Sequence, residues 1–307
     1  MWKPTGSLQA FRARADLYEQ IRFFFADRKV QEVETPLLGV AGVTDPHIHS
    51  LALADGAFLQ TSPEYFMKRL LAAGSGDIFQ ICKAFRAEEQ GDRHNREFTL
   101  LEWYRQGFDL WELMDEMADL VEQLLGCNHF EHLSYAAAFD RFLGIDPFTA
   151  DVESLKFEAQ QHINVEMPRA SKDDWLNLLM SHLIEPHLGH YAPVFLYDYP
   201  PSQASLARIS QDESGNEVAE RFELYYRGME LANGYHELAD AEQQRSRFLQ
   251  DNLLRQEMGL KAVPMDEDLL QALANGLPDC SGVALGLDRV LMIRLGCSRI
   301  DEVLSFR

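Results

Sequence analysis

Phe85-Arg86-Ala87-Glu88, an eight-residue polar run that closes Arg93-His94-Asn95-Arg96, and then Glu97-Phe98-Thr99-Leu100-Leu101-Glu102-Trp103-Tyr104-Arg105 decide the reading of this chain. The pattern is two strands joined by a loop. Residues 78–88 form the first, bounded by Gly76 and Gly91, and a period of two puts Arg86 and Glu88 on one face. In the second, the same parity gathers Phe98, Leu100, Glu102 and Tyr104 on one face and sends Thr99, Leu101, Trp103 and Arg105 to the other. A half-buried strand normally gives one face to core and one to water. Here a single face mixes an aromatic ring, a carboxylate and a phenol, which suits a binding surface.

Upstream of the hairpin, residues 7–28 read as an amphipathic helix capped by Ser7, with Leu8, Phe11, Ala15, Tyr18, Ile21 and Phe25 at helical spacing. Val30 and Val33 then lead to Glu34-Thr35-Pro36, on its own an ordinary turn. The His47-x-His49 pair has no acidic or cysteine partner nearby and gives no metal site. Residues 57–60 form a short strand feeding Thr61-Ser62-Pro63-Glu64, a helix start with Thr61 or Ser62 as N-cap and Pro63 in the first turn. That helix ends near Ala73 at Gly74, and on these residues alone Glu64 is a capping-box carboxylate.

Downstream, residues 109–125 form a helix with Asp109 and Glu112 as a capping box and Gly126 as its stop. Three shorter helices are expected over 134–188, with Trp175, Leu179 and Leu183 as core, followed by a buried strand at 193–197 and a Pro/Ser loop at 199–205. Residues 222–226, a turn at Arg227-Gly228 and residues 229–234 make a hairpin. It places Glu223 and Glu230 on neighbouring strands, either as two solvent-facing charges or as a carboxylate pair for Mg2+. A long helix over 241–258 stops at Gly259. In Ser281-Gly282-Val283-Ala284-Leu285-Gly286-Leu287-Asp288-Arg289, the glycines leave room for a ligand to approach the backbone, and Arg289 opens a helix.

A chain of 307 residues with 46% hydrophobic content buries a full core. No stretch is built like a membrane span or secretory signal, and four dispersed cysteines without a C-x-x-C give neither a disulfide framework nor a zinc site, so the expected compartment is the cytoplasm. The formal net charge of -21, with no Lys/Arg-rich run, disfavours an extended grip on a polyanion and hence docking to transfer RNA.

The central hairpin, with Phe85-Arg86-Ala87-Glu88, Arg93-His94-Asn95 and Glu97-Phe98, resembles motif 2 of class II aminoacyl-tRNA synthetases, in the version carried by lysyl-tRNA synthetases. The segment ending at Pro36 resembles motif 1, and Gly282 to Arg289 resembles motif 3. Three motifs in order over nearly the whole chain imply an α+β fold: a class II synthetase catalytic domain over 1–307, an antiparallel sheet flanked by helices, dimerising through motif 1. Only 35 residues precede Pro36, so no anticodon-binding domain is expected.

The resemblance implies activation of an amino acid by ATP, and it assigns roles residue by residue. Arg86 and Arg289 are the expected catalytic residues, Arg86 at the α-phosphate through its planar guanidinium fork. Ala87 contributes a backbone contact, Glu88 meets the adenine amino group and Phe98 stacks on the ring. His94, Asn95 and Arg289 reach the outer phosphates, Leu231 and Gly286 complete the ATP site, and Glu223 and Glu230 hold Mg2+ with Glu230 also facing the nucleotide. The lysine pocket is expected from Ser62, Pro63, Glu64, Glu102, Tyr104, Asn233, Glu237 and Ala284. Its acceptors include no arginine to welcome an acidic side chain. Clustered carboxylates need cations among them, and a substrate with two ammonium groups supplies them, whereas a monoamine leaves a buried carboxylate unpaired at a cost on the order of 3 to 5 kcal/mol.

Two details depart from the lysyl enzymes: Ala284 stands where they have glycine, and Ser62 where they have alanine. An added methyl and hydroxyl in a packed pocket change which isomer fits, by about 1 to 3 kcal/mol. Ala87 and Arg96 also replace asparagine and proline in motif 2. With Thr61-Ser62-Pro63-Glu64-Tyr65 and Leu101-Glu102-Trp103-Tyr104-Arg105, the chain is similar to the lysyl-type branch that attaches (R)-β-lysine, less well L-lysine, to a lysine of elongation factor P. Two rivals predict different things: an enzyme that charges transfer RNA or makes a small amide predicts RNA-stimulated turnover, and a catalytically silent lysine or ATP sensor predicts a damaged motif. Arg86, Glu223, Glu230 and Arg289 are all present.

Overall fold

The computed structural model describes residues 2–168 and 170–307. Helix α1 (Leu8–Asp27) starts at Ser7, whose Oγ accepts the Ala10 N–H at 3.1 Å, and it buries Ala10, Leu17, Ile21, Phe24 and Phe25. After β1 (Gln31–Glu32) come three two-residue strands, β2 (Leu38–Gly39), β3 (Leu51–Ala52) and β4 (Phe58–Leu59), in the order β2-β4-β3. Helix α2 (Glu64–Ala72) begins one residue later than the sequence suggests. Pro63 itself occupies the N-cap, at φ −78° and ψ 2°, while Ser62 Oγ accepts the Glu64 N–H at 3.1 Å.

Strands β5 (Ile78–Phe85) and β6 (Glu97–Gln106) are the expected hairpin arms. Helix α3 (Leu110–Leu125) carries the Asp109–Glu112 capping box and stops at left-handed Gly126. The chain continues through β7 (Glu131–Ser134), α4 (Tyr135–Leu143), α5 (Val152–His162), α6 (Lys172–Leu179), β8 (Val194–Tyr199), β9 (Ile209–Gln211), β10 (Glu217–Tyr226) and β11 (Met229–His236). Helices α7 (Ala241–Glu257) and α8 (Glu267–Gly276), strand β12 (Cys280–Gly286) and helix α9 (Leu287–Leu295) complete it. Among the described residues no helix is long and apolar enough to cross a membrane.

The residues gather into two compact units, one from the chain up to Gly126 together with Glu237–Arg307, the other from Cys127–His236. In the first, β5, β6 and β12 lie side by side, all antiparallel, with β1 parallel on the outer edge of β5. The two faces of β6 separate as its alternation requires. On one, Trp103 and Phe79 pack around Phe25 of α1, and Trp103 Nε1 and Arg105 Nη1 donate to Glu116 of α3 at 3.1 and 2.8 Å. Buried Asp288 of α9 accepts the Thr99 N–H at 2.7 Å on the same side and pairs with Arg14 of α1 at 2.5 Å. The other face keeps Phe98, Glu102 and Tyr104.

In the second unit β11, β10 and β8 are antiparallel neighbours, β7 runs parallel to β8, and β9 pairs with the start of β10. The β10–β11 turn has Arg227 at φ 54° and Gly228 at φ 64°, the paired left-handed residues of a two-residue hairpin. Tyr135, Phe139, Trp175, Leu179, Leu196 and Tyr225 belong to this unit's core.

Candidate active site

The first unit holds a buried nest of carboxylates. Glu102 and Tyr104 project from the same face of β6, and the Tyr104 hydroxyl donates to Glu102 Oε1 at 2.8 Å. The register of β12 on β6 sets Ala284 opposite Glu102 and Gly282 opposite Tyr104. A Cβ on Gly282 would fall into the Tyr104 ring and within 2.7 Å of Glu237 Oε1. Glycine here makes room for the pocket's own side chains, a narrower role than an opening for ligand. Glu237, Tyr104 and Glu102 are 1%, 2% and 2% exposed, so any charge they carry must be answered inside the protein or by a ligand.

One answer comes from a residue the sequence reading passed over. Lys68, 1% exposed, lies one turn along α2 from Glu64, and its ammonium meets Glu64 Oε1 at 2.7 Å and Glu237 Oε2 at 2.5 Å. Burial alone would depress this ammonium, but Glu237 and then Glu64 more than offset that and raise its pKa, so Lys68 stays charged. A lysine on the buried face of an amphipathic helix, between Met67 and Leu71, is the signal that could have found it.

Glu102 is pushed up to about 8 by burial and then by the charge of Glu64, against hydrogen bonds from Tyr104 and Ser62. Glu237 also reaches about 8, through burial and the charges of Glu64 and Glu102, despite the opposing pull of Lys68. Glu102 Oε2 is buried without a hydrogen-bond partner among the described residues. The nest is short of positive charge and keeps an unused acceptor, which is what a cationic ligand requires.

The β5–β6 loop brings together the cationic residues of the same unit. Arg86 lies 5.1 Å over the Phe98 ring; its Nη1 is 3.5 Å from Glu89, and its Nε is buried without a partner among the described residues. His94 Nε2 sits 2.7 Å from Arg289 Nη2 and so acts as the acceptor. Burial and then the Arg289 charge lower the pKa of His94, keeping the ring neutral at pH 7. Arg289 stands in the first turn of α9, whose N-cap is Gly286. The loop is held from outside: His49 O accepts the Ala87 N–H at 2.7 Å, exposed Glu88 stands 3.6 Å from His49, and Asn95 donates to Glu97 O at 2.7 Å. His49 and Glu89 have no role in the sequence reading, because neither contact follows from strand periodicity.

In the second unit, Glu223 is ringed by donors. The hydroxyls of Tyr199 and Tyr225 reach its Oε2 at 2.6 and 2.5 Å, Arg221 pairs with its Oε1, and Asn233 Nδ2 approaches at 3.4 Å. Asn233 therefore sits beside Glu223 from across the ladder. Glu230 is opposite Tyr225 in the β10–β11 register, on the face that carries Glu223, and Leu231 beside it is buried. Among the described residues no three His, Cys, Asp or Glu side chains come together as a metal cage, so this pair would need ligand oxygens to complete a coordination shell.

An arginine-bearing antiparallel hairpin, a glycine-containing strand running into an arginine-bearing helix, and an acidic pocket between them define an aminoacyl-activating fold. A family model described as tRNA synthetases class II (D, K and N) matches residues 3–307, through both compact units, and the chain belongs to that family. Curated relatives narrow the likeness. A protein of Salmonella dublin named "Elongation factor P--(R)-beta-lysine ligase" is 49% identical over 319 aligned positions, covering 99% of this chain and 97% of the relative. One of the same name from Pasteurella multocida is 48% identical over 314 positions, with the same coverage.

Proposed function

We propose that this chain is a ligase that activates a lysine-type diamino acid, (R)-β-lysine ahead of L-lysine, and transfers it to a lysine of elongation factor P. The acceptor and isomer rest on the likeness to the named relatives. The substrate class rests on one observation, the cluster of half-buried Glu64 with buried Glu102 and Glu237 and its unpartnered Glu102 oxygen. In the first step a carboxylate oxygen of the amino acid attacks the α-phosphorus of ATP; an O–P bond forms, the bond to the β-phosphate breaks and pyrophosphate leaves. In the second the acceptor amine attacks the carbonyl carbon, a C–N bond forms, the C–O bond to AMP breaks and the amine loses a proton.

In this reading Arg86 takes the α-phosphate with the in-plane N–H donors of its guanidinium, its Nε among them, and Arg289 with neutral His94 meets the outer phosphates. Phe98 stacks on adenine, while Glu88, the backbone of Ala87, Asn95 and Gly286 complete the nucleotide contacts. Glu64, Glu102, Tyr104 and Glu237 hold the two ammonium groups, with Ser62, Pro63 and Ala284 shaping the pocket. Glu223 and Glu230 are the two hard-oxygen donors that would hold Mg2+, and the ion would take the place on Glu223 of donors it now has, the Arg221 charge among them. Exposed Leu37, Leu38 and Val40 beside Pro36 support a homodimer through that segment, and the setting is cytoplasmic. Intact-mass spectrometry of elongation factor P after incubation with protein, ATP, Mg2+ and either isomer tests the whole: a gain of one lysyl unit, faster with the β isomer, is expected. No gain despite ATP–pyrophosphate exchange would move the acceptor elsewhere.

The raised carboxyls give the reading a pH signature. In the ligand-free protein burial pushes Glu102 and Glu237 up to about 8, and a diammonium ligand favours their ionised forms, so binding releases protons. Affinity should therefore tighten as pH rises from 6 toward 8, by up to about tenfold per unit for each proton released. Because both values lie above the ordinary 4.5, their contribution to ligand-free stability is present below that value and lost as pH rises through about 8. Calorimetry in buffers of different ionisation heat counts the protons, and a pH-independent affinity with none released would contradict this account. Glu237→Gln should raise the amino-acid KM by roughly 100-fold, about 3 kcal/mol, with the ATP KM unchanged in exchange assays.

A further inference from the structure

The charge of the amino-acid pocket does not balance on its carboxylates alone. Glu64, Glu102 and Glu237 supply three potential negative charges, and Lys68, from the same helix as Glu64, inserts one fixed positive charge between two of them. Its ammonium is closer to Glu237 than to Glu64, at 2.5 against 2.7 Å, and its side chain is 1% exposed. Glu102 stands outside this bridge, held by Tyr104 and keeping one buried oxygen unused. Three carboxylates less one ammonium leave the pocket two positive charges short.

We propose that Lys68 is a specificity-determining positioning residue, whose ammonium ties Glu64 to Glu237 and cancels one carboxylate so that the pocket fits an acid bearing two ammonium groups. This rests on the reading that the nest takes a lysine-type substrate. Lys68 acts through the two glutamates: without it they repel, one takes up a proton, and the seat for the second substrate ammonium loses both its charge and its place. A monoamino acid leaves the pocket one charge short, and a triamine brings one too many. The ionisable groups facing Lys68 are Glu64 on its own helix and Glu237 beyond β11, with Glu102 and Tyr104 of β6 next to them.

Lys68→Met keeps most of the apolar stem and removes the charge. The expected result in lysine-dependent ATP–pyrophosphate exchange is an amino-acid KM raised about 30-fold or more, with kcat and the ATP KM within about threefold. Calorimetry should show a smaller proton release on binding, because without the Lys68 charge two ligand ammoniums balance only two ionised carboxyls where the wild-type complex holds three. In Lys68→Ala, ethylammonium should restore part of the lost KM and ethanol should not. An unchanged KM and proton count in Lys68→Met, or equal rescue by ethanol, would overturn the assignment, since either outcome makes Lys68 a packing residue. Should both variants fail to fold, the 15N signal of the Lys68 ammonium in the wild-type protein decides. It is expected to stay charged to pH 10 with and without lysine, and a neutral amine, or one released when lysine binds, would refute the proposal. Wild-type protein that binds neither isomer would overturn the reading of the pocket and this assignment with it, whereas wild-type binding with an unaltered Lys68→Met overturns the assignment alone.

Discussion

Arg86→Ala is expected to lower ATP–pyrophosphate exchange at least about 10^3-fold while leaving the fold intact, the range typical of losing a charged group aimed at a phosphoryl centre. Arg86 sits at the end of β5, with its Nε buried and unpartnered and its nearest carboxylate, Glu89, at a marginal 3.5 Å. Little in the folded protein depends on it. Its guanidinium lies 5.1 Å over the Phe98 ring, and a planar fork with unused donors suits phosphate oxygens. Thermal unfolding should shift by no more than a few degrees. Normal exchange in a folded Arg86→Ala variant would remove the activation chemistry from this hairpin.

Gly282→Ala should abolish lysine-dependent activity and also weaken the fold. The added methyl would lie inside the Tyr104 ring and 2.7 Å from Glu237 Oε1, and both groups are almost fully buried. Tyr104 cannot withdraw without breaking its 2.8 Å bond to Glu102, and Glu237 cannot withdraw without leaving Lys68. Overpacking of a tight core costs about 1 to 3 kcal/mol, and here the strain falls on the substrate-binding groups themselves. Paired thermal unfolding and amino-acid binding should show a lower Tm and no measurable lysine affinity. Wild-type affinity in this variant would show that the pocket is looser than its packing implies.

What the sequence made legible was what is local. The caps of α1 and α3, the parity of β6 and the β10–β11 turn follow from residues a few positions apart, and they stand where the pattern puts them. At α2 the start moved by one residue, because Pro63 takes the cap position and Ser62 caps from outside it. The site was legible in its carboxylates but not in what lies between them. Lys68 meets Glu64 at helical spacing, yet its other partner, Glu237, is far along the chain, and no periodicity links the two. Gly282 reads as space for a ligand until the β12–β6 register sets Tyr104 opposite it. Glu223 likewise reads as a solvent-facing charge or a Mg2+ ligand beside Glu230, until Tyr199 of β8 and Tyr225 of its own strand close over it.

The division into two units bears on how the chain is made. Cys127–His236 is continuous, and all of its strands have been synthesised once His236 leaves the ribosome. The other unit is split: β6 waits for β12, and Thr5 finds its backbone partner, Ser305, 3.0 Å away, only at the other end of the chain. Contacts so distant in sequence form slowly. During translation, therefore, the later-starting unit is free to fold first, while Glu64, Lys68 and Glu102 stand ready without β12 and its Gly282. The nascent protein gains its substrate pocket only once β12 has been made.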